Sequence, residues 1–219
     1  MTAWVAGRQA IGPDDGGAPV STDVVRLGPE PGEDVTAYLA RAAAVPDPAD
    51  PSERLALVQL DASLTPEAAA PAVGRTVALR AVVRVPFPRV QTALRDVDLQ
   101  PAPPVAALRA ALTTASAQAR QDAVAGVPGT RRTALAAAEA AALARPDCAC
   151  LVAAVVRLAP ADVPGVRALP GVRAVQVAPP GTARSRLALS PLLPDQGPGR
   201  PDGPVVGPVP DDGPVPAGG

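Results

Sequence analysis

From residue 77 to 87 the chain alternates without a break: Val77, Leu79, Ala81, Val83, Val85 and Phe87 share one face, with Arg80 and Arg84 on the other. A period of two is that of a strand with one face in a core and the other toward polar surroundings. Residues 151–159 are apolar on both faces except at Arg157, which predicts an interior strand covered on both sides. Leu55–Ala62 and Val172–Ala178 read as two further strands.

These four strands fall into a repeat. Leu64-Thr65-Pro66 is followed by Leu79-Arg80-Ala81-Val82 and then Pro86; Leu158-Ala159-Pro160 is followed by Val172-Arg173-Ala174-Val175 and then Pro179. Each copy reads as a strand, a turn with Pro at the first helical position, a short helix and a second strand. Proline suits that position because its missing N–H would be unpaired there in any case. In the first copy Thr65 is placed to cap the helix and Glu67 to sit in its first turn. Two such units in tandem predict βαββαβ, an α+β fold of the ferredoxin-like type.

The halves are separated by an insertion of about Pro88 to Asp147, helical over 100–146. It opens with a possible extended piece, Val90 to Leu99, followed by the break Pro101-Ala102-Pro103-Pro104. A helix follows, with Val105, Leu108, Leu112, Ala115 and Ala119 on one stripe and Arg109, Ser116 and Arg120 facing away. Gly126-Val127-Pro128-Gly129 turns the chain, and Thr130 caps a second, alanine-rich helix that stops before Pro146. The resulting hairpin is expected to cover the sheet face that the two repeat helices leave open.

Outside this domain, taken as residues 53–194, the pattern fades. Residues 1–32 and 195–219 are rich in Gly, Pro and Asp and read as disordered. Residues 33–52 hold a short helix, with Val35, Tyr38, Leu39 and Ala42 on one stripe, and the stiff linker Pro46 to Pro51.

Composition narrows the function classes. Hydrophobic residues make up 47% of the 219, but nearly half of these are alanine and aromatics amount to 1%, so the core is thin. All 20 basic residues are arginine, there is no histidine or lysine, and the net charge is -1. That balance gives no cationic surface and no stacking platform for nucleic acid. No stretch of the length needed to span a bilayer is free of charge. Read from Met1 the chain is expected to be cytoplasmic. An anchor upstream of Met1 would place it in the cell envelope, which the Pro-rich ends and the paired cysteines favour.

The nine residues Leu169-Pro170-Gly171-Val172-Arg173-Ala174-Val175-Gln176-Val177 are similar to the closing helix–strand corner of several ferredoxin-like families, among them subtilisin-inhibitor-type protease propeptides and heavy-metal-associated domains. The resemblance implies the fold and selects no activity. A heavy-metal-associated domain would carry a cysteine pair after its first strand, and none stands near Asp61 to Thr65.

Two constellations carry candidate chemistry. Cys148 and Cys150, two apart on a strand, would put both sulfurs on one face beside Val152 and Ala154. They are a redox candidate, cycling between dithiol and disulfide. A metal would need further ligands from carboxylates such as Asp147 or from a second subunit, and no metal site is assigned. The plainer reading is two buried, inert thiols or a local staple. Arg80, Arg84 and Arg173 are an anion-binding candidate, against the alternative of a solvated, salt-bridged face.

Six serines without histidine or lysine lack the usual base, and no Gly-rich phosphate loop of standard spacing occurs, so neither catalytic residues nor a cofactor are assigned. The sequence is thus expected to encode a non-enzymatic protein-interaction or regulatory module, with an unknown protein partner, neither nucleic-acid binding nor membrane insertion, and an extracytoplasmic place if an anchor precedes it. The alternatives are a thiol-redox protein using Cys148 and Cys150, and a sensor of a small anionic ligand.

Overall fold

The computed structural model describes residues 24–216. The fold is mixed α+β: a five-stranded antiparallel sheet, a two-stranded parallel sheet and five α-helices among the described residues. In chain order these are β1 (Val25–Leu27), α1 (Val35–Ala42), β2 (Arg54–Leu64), α2 (Pro66–Gly74), β3 (Val77–Val83), β4 (Arg95–Asp98), α3 (Pro104–Ala125), α4 (Arg131–Leu143), β5 (Leu151–Leu158), α5 (Val163–Arg167), β6 (Val172–Val177) and β7 (Leu187–Leu189). The large sheet runs β4-β3-β5-β2-β6, and β1 pairs with β7.

Local signals set most of these elements. Thr65 Oγ1 accepts from Ala68 N at 3.3 Å and Pro66 opens α2. Asp34 Oδ1 accepts from Ala37 N at 2.9 Å to start α1, and Thr130 Oγ1 accepts from Thr133 N at 3.3 Å to start α4. Each bond satisfies a donor that the first helical turn leaves over. β5 is buried along its length except at Arg157, as an interior strand flanked by β2 and β3 should be. Of the extended piece Val90–Leu99, only Arg95–Asp98 forms a strand, which extends the sheet beyond β3.

One layer of core lies between the sheet and the helices. Ala56, Val58 and Leu60 of β2, Ala81 and Val83 of β3, Ala154, Val156 and Leu158 of β5 and Val175 of β6 face it. Ala69, Ala72 and Val73 of α2, Leu108, Ala111, Leu112, Ala115 and Ala119 of α3, Ala140 and Leu143 of α4, and Val163 and Val166 of α5 complete it. The α3–α4 hairpin therefore shares a face with α2 and α5 and does not cover the opposite one. Alanine is the cause. Small side chains on α2 and α3 let four helices crowd one side, and Ser116, expected to point away, is buried at 1% exposure with its hydroxyl donating to Ala140 O at 2.9 Å.

The opposite face is closed by β1 and β7. Leu55 and Leu57 of β2, Val82 of β3 and Ala153 and Val155 of β5 meet Leu27 of β1, with Val25, Leu187 and Leu189 packed alongside. Fully burying a Leu or Val side chain is worth roughly 1.5–3 kcal/mol, which is reason enough for two three-residue strands to hold. β3 is consequently buried on both faces rather than one, helped by a bulge at Leu79 that shifts its register between Ala78 and Arg80. A third cluster seats α1 on the sheet: Val35, Tyr38 and Ala42 pack with Ala174 and Leu192.

So the flanks belong to the folded unit over residues 24–32 and 195–216, which corrects the reading of those stretches as disordered; residues 1–23 and 217–219 of the same expectation lie outside the described residues. Prolines take away donors but leave carbonyls, and those carbonyls find work. Pro204 O accepts from Val35 N at 2.8 Å, Val206 O from Gly32 N at 2.8 Å, and Val206 N donates to Glu33 O at 2.9 Å. Gly28, at φ 123°, allows Leu27 and Ser190 to lie so close that any Cβ there would collide with the Ser190 carbonyl.

Candidate functional site

The residues singled out by sequence are placed apart. Cys148 and Cys150 precede β5, are joined as a disulfide with Cα atoms 5.3 Å apart, and are exposed by only 9% and 1%. They belong to the core beneath the helices, together with Leu151 and Ala154, whereas Val152 faces the other layer. The β3–β5 register, Val82 to Ala153 and Val83 to Leu151, leaves Val152 as an extra residue, which is why strict alternation from Cys150 fails. Among the described residues no group of three or more His, Cys, Asp or Glu side chains is arranged to hold a metal ion. No described helix is long and apolar enough to cross a membrane.

The three arginines do not converge. Arg80 donates to Asp96 Oδ2 at 2.9 Å, its Nε lies 3.2 Å from Asp98 Oδ1, and it reaches the Arg184 carbonyl at 3.4 Å. β4 thus supplies the acids that pair with it. Arg173, on β6, donates to Leu193 O at 3.1 Å and Gln196 O at 2.6 Å. β5 and β2 stand between β3 and β6, so no single anion touches all three side chains. Burial lowers the pKa of Arg173, and the nearby Arg200 lowers it further.

Arg84 is different. It follows β3, its side chain is 3% exposed, and the one hydrogen bond that side chain makes among the described residues runs from Nη2 to Val90 O at 3.3 Å. A guanidinium has five N–H donors, so most of this one's capacity is unused. The nearest carboxylate, Asp195 Oδ2, stands 3.8 Å from Nη1 and belongs to a side chain that is 47% exposed. Burial pulls the Arg84 pKa down, and Asp195, Asp202 and Glu139 pull it back. Asp202, close to the same group, is raised by its own burial and then by Asp195, and its Oδ2 is buried without a partner.

Arg84 lines a cleft of about 560 Å³. Its walls come from three places: the Pro31-Gly32 turn before α1, the loop with Gln91, Thr92 and Leu94 between β3 and β4, and the C-terminal segment with Ser190, Pro191, Leu193, Gln196 and Val206–Val209. Most of the wall is apolar. Two of its polar side chains are already engaged. Thr92 Oγ1 donates to Val85 O at 2.6 Å, and Gln196 accepts from Leu193 N at 3.1 Å and donates to Gly207 O at 3.0 Å. Beyond Val209 the chain is tied across the Arg89–Gln91 loop to α4: Asp211 accepts from Gln91 N at 3.1 Å and from Arg131 at 3.0 Å, and Asp212 pairs with Arg89.

No protein family profile, curated protein or solved structure matches this chain.

Sequence reasoning named Arg84 but gave it the wrong companions, and missed Asp195, the Gln91–Leu94 loop and Val206–Val209 altogether. A usable signal was the apolar pair Leu192-Leu193 immediately before the Gly/Pro-rich stretch 195–219, since apolar side chains there mark chain that is still packed on the domain.

Proposed function

We propose that this chain is a non-enzymatic ligand-binding module of the ferredoxin-like type, which senses a small anionic molecule in the cleft beside Arg84. The fold reading is supported by strand directions. β2 and β3 both run antiparallel to β5, so they are parallel to each other with α2 between them. β5 and β6 both run antiparallel to β2, with α5 between them. The order β3-β5-β2-β6 then interleaves two βαβ units, with β4 and the α3–α4 hairpin inserted between the halves.

The function rests on one observation: a 3%-exposed guanidinium with a single hydrogen bond in the wall of an apolar cleft. Pockets that bind small molecules combine apolar walls with a few placed polar groups, and a cation short of partners selects an anion. The protein-interaction role expected from the sequence has no comparable observation behind it. Burial of Cys148 and Cys150 counts against a redox role, which needs an attacking thiolate to reach the sulfur.

The test is thermal unfolding against a panel of anions spanning phosphate, sulfate, dicarboxylates, nucleotides and monocarboxylates. A ligand at one hundred times its Kd stabilises the native state by about 2.7 kcal/mol, so at least one member should raise the melting temperature, and Arg84→Met should remove the effect. A panel without effect, or equal effects in the variant, refutes the reading.

A further inference from the structure

We infer that the ligand is an amphipathic monocarboxylate, an aliphatic tail ending in one carboxylate, held in a cleft whose volume of about 560 Å³ falls within the ~300–1,000 Å³ usual for small-molecule sites. This deepens the reading above and rests on it. The tail is specified by the walls: Pro31, Leu94, Pro191, Leu193, Val206 and Val209 line the cleft, and Thr92 and Gln196 spend their hydrogen bonds on the protein. A sugar or nucleotide would bring more polar groups than the Arg84, Gln91 and Ser190 side chains can partner, and each one left over is desolvated and unpaired. A polyanion is disfavoured too, because the Asp195 carboxylate 3.8 Å from Arg84 would repel a second negative charge.

The carboxylate is specified by what already stands beside the guanidinium. Asp195 is an internal counterpart: an exposed carboxylate 3.8 Å from Nη1, near enough for attraction and too far for a hydrogen bond. A ligand carboxylate that approaches to hydrogen-bond distance exchanges like for like, and a planar guanidinium accepts such a group in two parallel bonds. Asp195 is therefore the specificity-setting neighbour, which lowers affinity for every anion and most for those with more than one charge.

The experiment is calorimetric titration of the full chain with hexanoate, octanoate and decanoate, alongside octanol, succinate and inorganic phosphate. Affinity should rise about fourfold per methylene, the increment expected for burying one CH₂, and octanoate should bind at least tenfold more tightly than octanol. Asp195→Asn should tighten octanoate, and Arg84→Met should bring octanoate down to the level of octanol. Should Arg84→Met fail to fold, the octanoate–octanol comparison and the Asp195→Asn variant decide alone. Binding of phosphate or succinate without dependence on tail length overturns the monocarboxylate and leaves the anion site standing. Equal affinity for octanol and octanoate, or no gain in Asp195→Asn, overturns recognition of the carboxylate through Arg84. Absence of binding by every compound overturns the site as well.

Discussion

Tyr38 offers a direct test of how the N-terminal helix is docked. It is the single tyrosine of a chain without lysine or histidine, and the two cysteines are paired. It is therefore the one side chain whose ordinary pKa lies in the alkaline range below that of arginine. Its ring is fully buried between α1 and the sheet. The hydroxyl donates to Gln176 Oε1 at 3.0 Å and accepts from Gln59 Nε2 at 2.5 Å. Gln176 Oε1 also accepts from Gly28 N at 2.7 Å, and Gln59 Oε1 from Leu192 N at 2.7 Å, so one network joins both flanks to β2 and β6. Burial pushes the phenol from its ordinary 10.0 up to about 12, against the opposing influence of the Gln59 hydrogen bond. A folded pKa above the unfolded one means that the unfolded chain loses the proton first. The stability is present in full below pH 10 and drains away as pH climbs from 10 to about 12. At 1.36 kcal/mol per pKa unit the loss approaches about 2.7 kcal/mol. Urea unfolding across that window reads it, and ultraviolet absorbance of the phenolate reads the folded pKa independently. Tyr38→Phe should cost about 1–3 kcal/mol at neutral pH, because the Gln59 amide loses a buried partner, yet it should flatten the alkaline slope. If the native phenol ionises near 10, or if wild type and Tyr38→Phe lose the same stability over the window, the docking of α1 and the buried network are wrong.

Two further substitutions probe parts that periodicity could not reveal. Glu139 is 2% exposed and accepts from Arg95 Nη2 at 2.8 Å and Ala93 N at 2.9 Å, tying α4 to the strand before the hairpin. Removing one partner of a buried ion pair typically costs about 3–5 kcal/mol, so Glu139→Ala should lower urea stability by that amount, and a cost near zero refutes the contact. Leu192 is fully buried against α1, so Leu192→Ala should cost about 2–5 kcal/mol; a residue in a solvated tail would show within about 0.5 kcal/mol in the same assay.

How much of this was legible in the sequence depends on the length of each signal. β2, β5 and β6, and the helices α1 to α4, follow from runs of seven or more residues with a period or an apolar block, and from caps such as Thr65 and Thr130. The covering layer was not legible, for a physical reason. β1 and β7 are three residues each, below the length at which alternation can be told from chance. Their surroundings carry the glycine and proline that ordinarily mean a solvated chain. Two bulges compounded this. The extra residues at Leu79 and Val152 put neighbouring side chains into layers that strict alternation would not assign them.

The site suffered from the same blindness. An arginine on the second face of β3 looks solvated only while that face is thought to be bare. Once β4 and the segment after β7 are in place, Arg80 is matched by Asp96 and Asp98 of β4, Arg173 by the carbonyls of Leu193 and Gln196, and Arg84 by one carbonyl and by Asp195 at 3.8 Å. The three side chains had equal standing as anion ligands in the sequence. They differ because β4 and the segment after β7 supply hydrogen-bond partners to two of them, while that segment and the Gln91–Leu94 loop build a cleft around the third. Any ligand at Arg84 is consequently held by residues from before α1, after β3 and beyond β7 at once, so its binding energy adds to the cohesion of the segments that close the sheet.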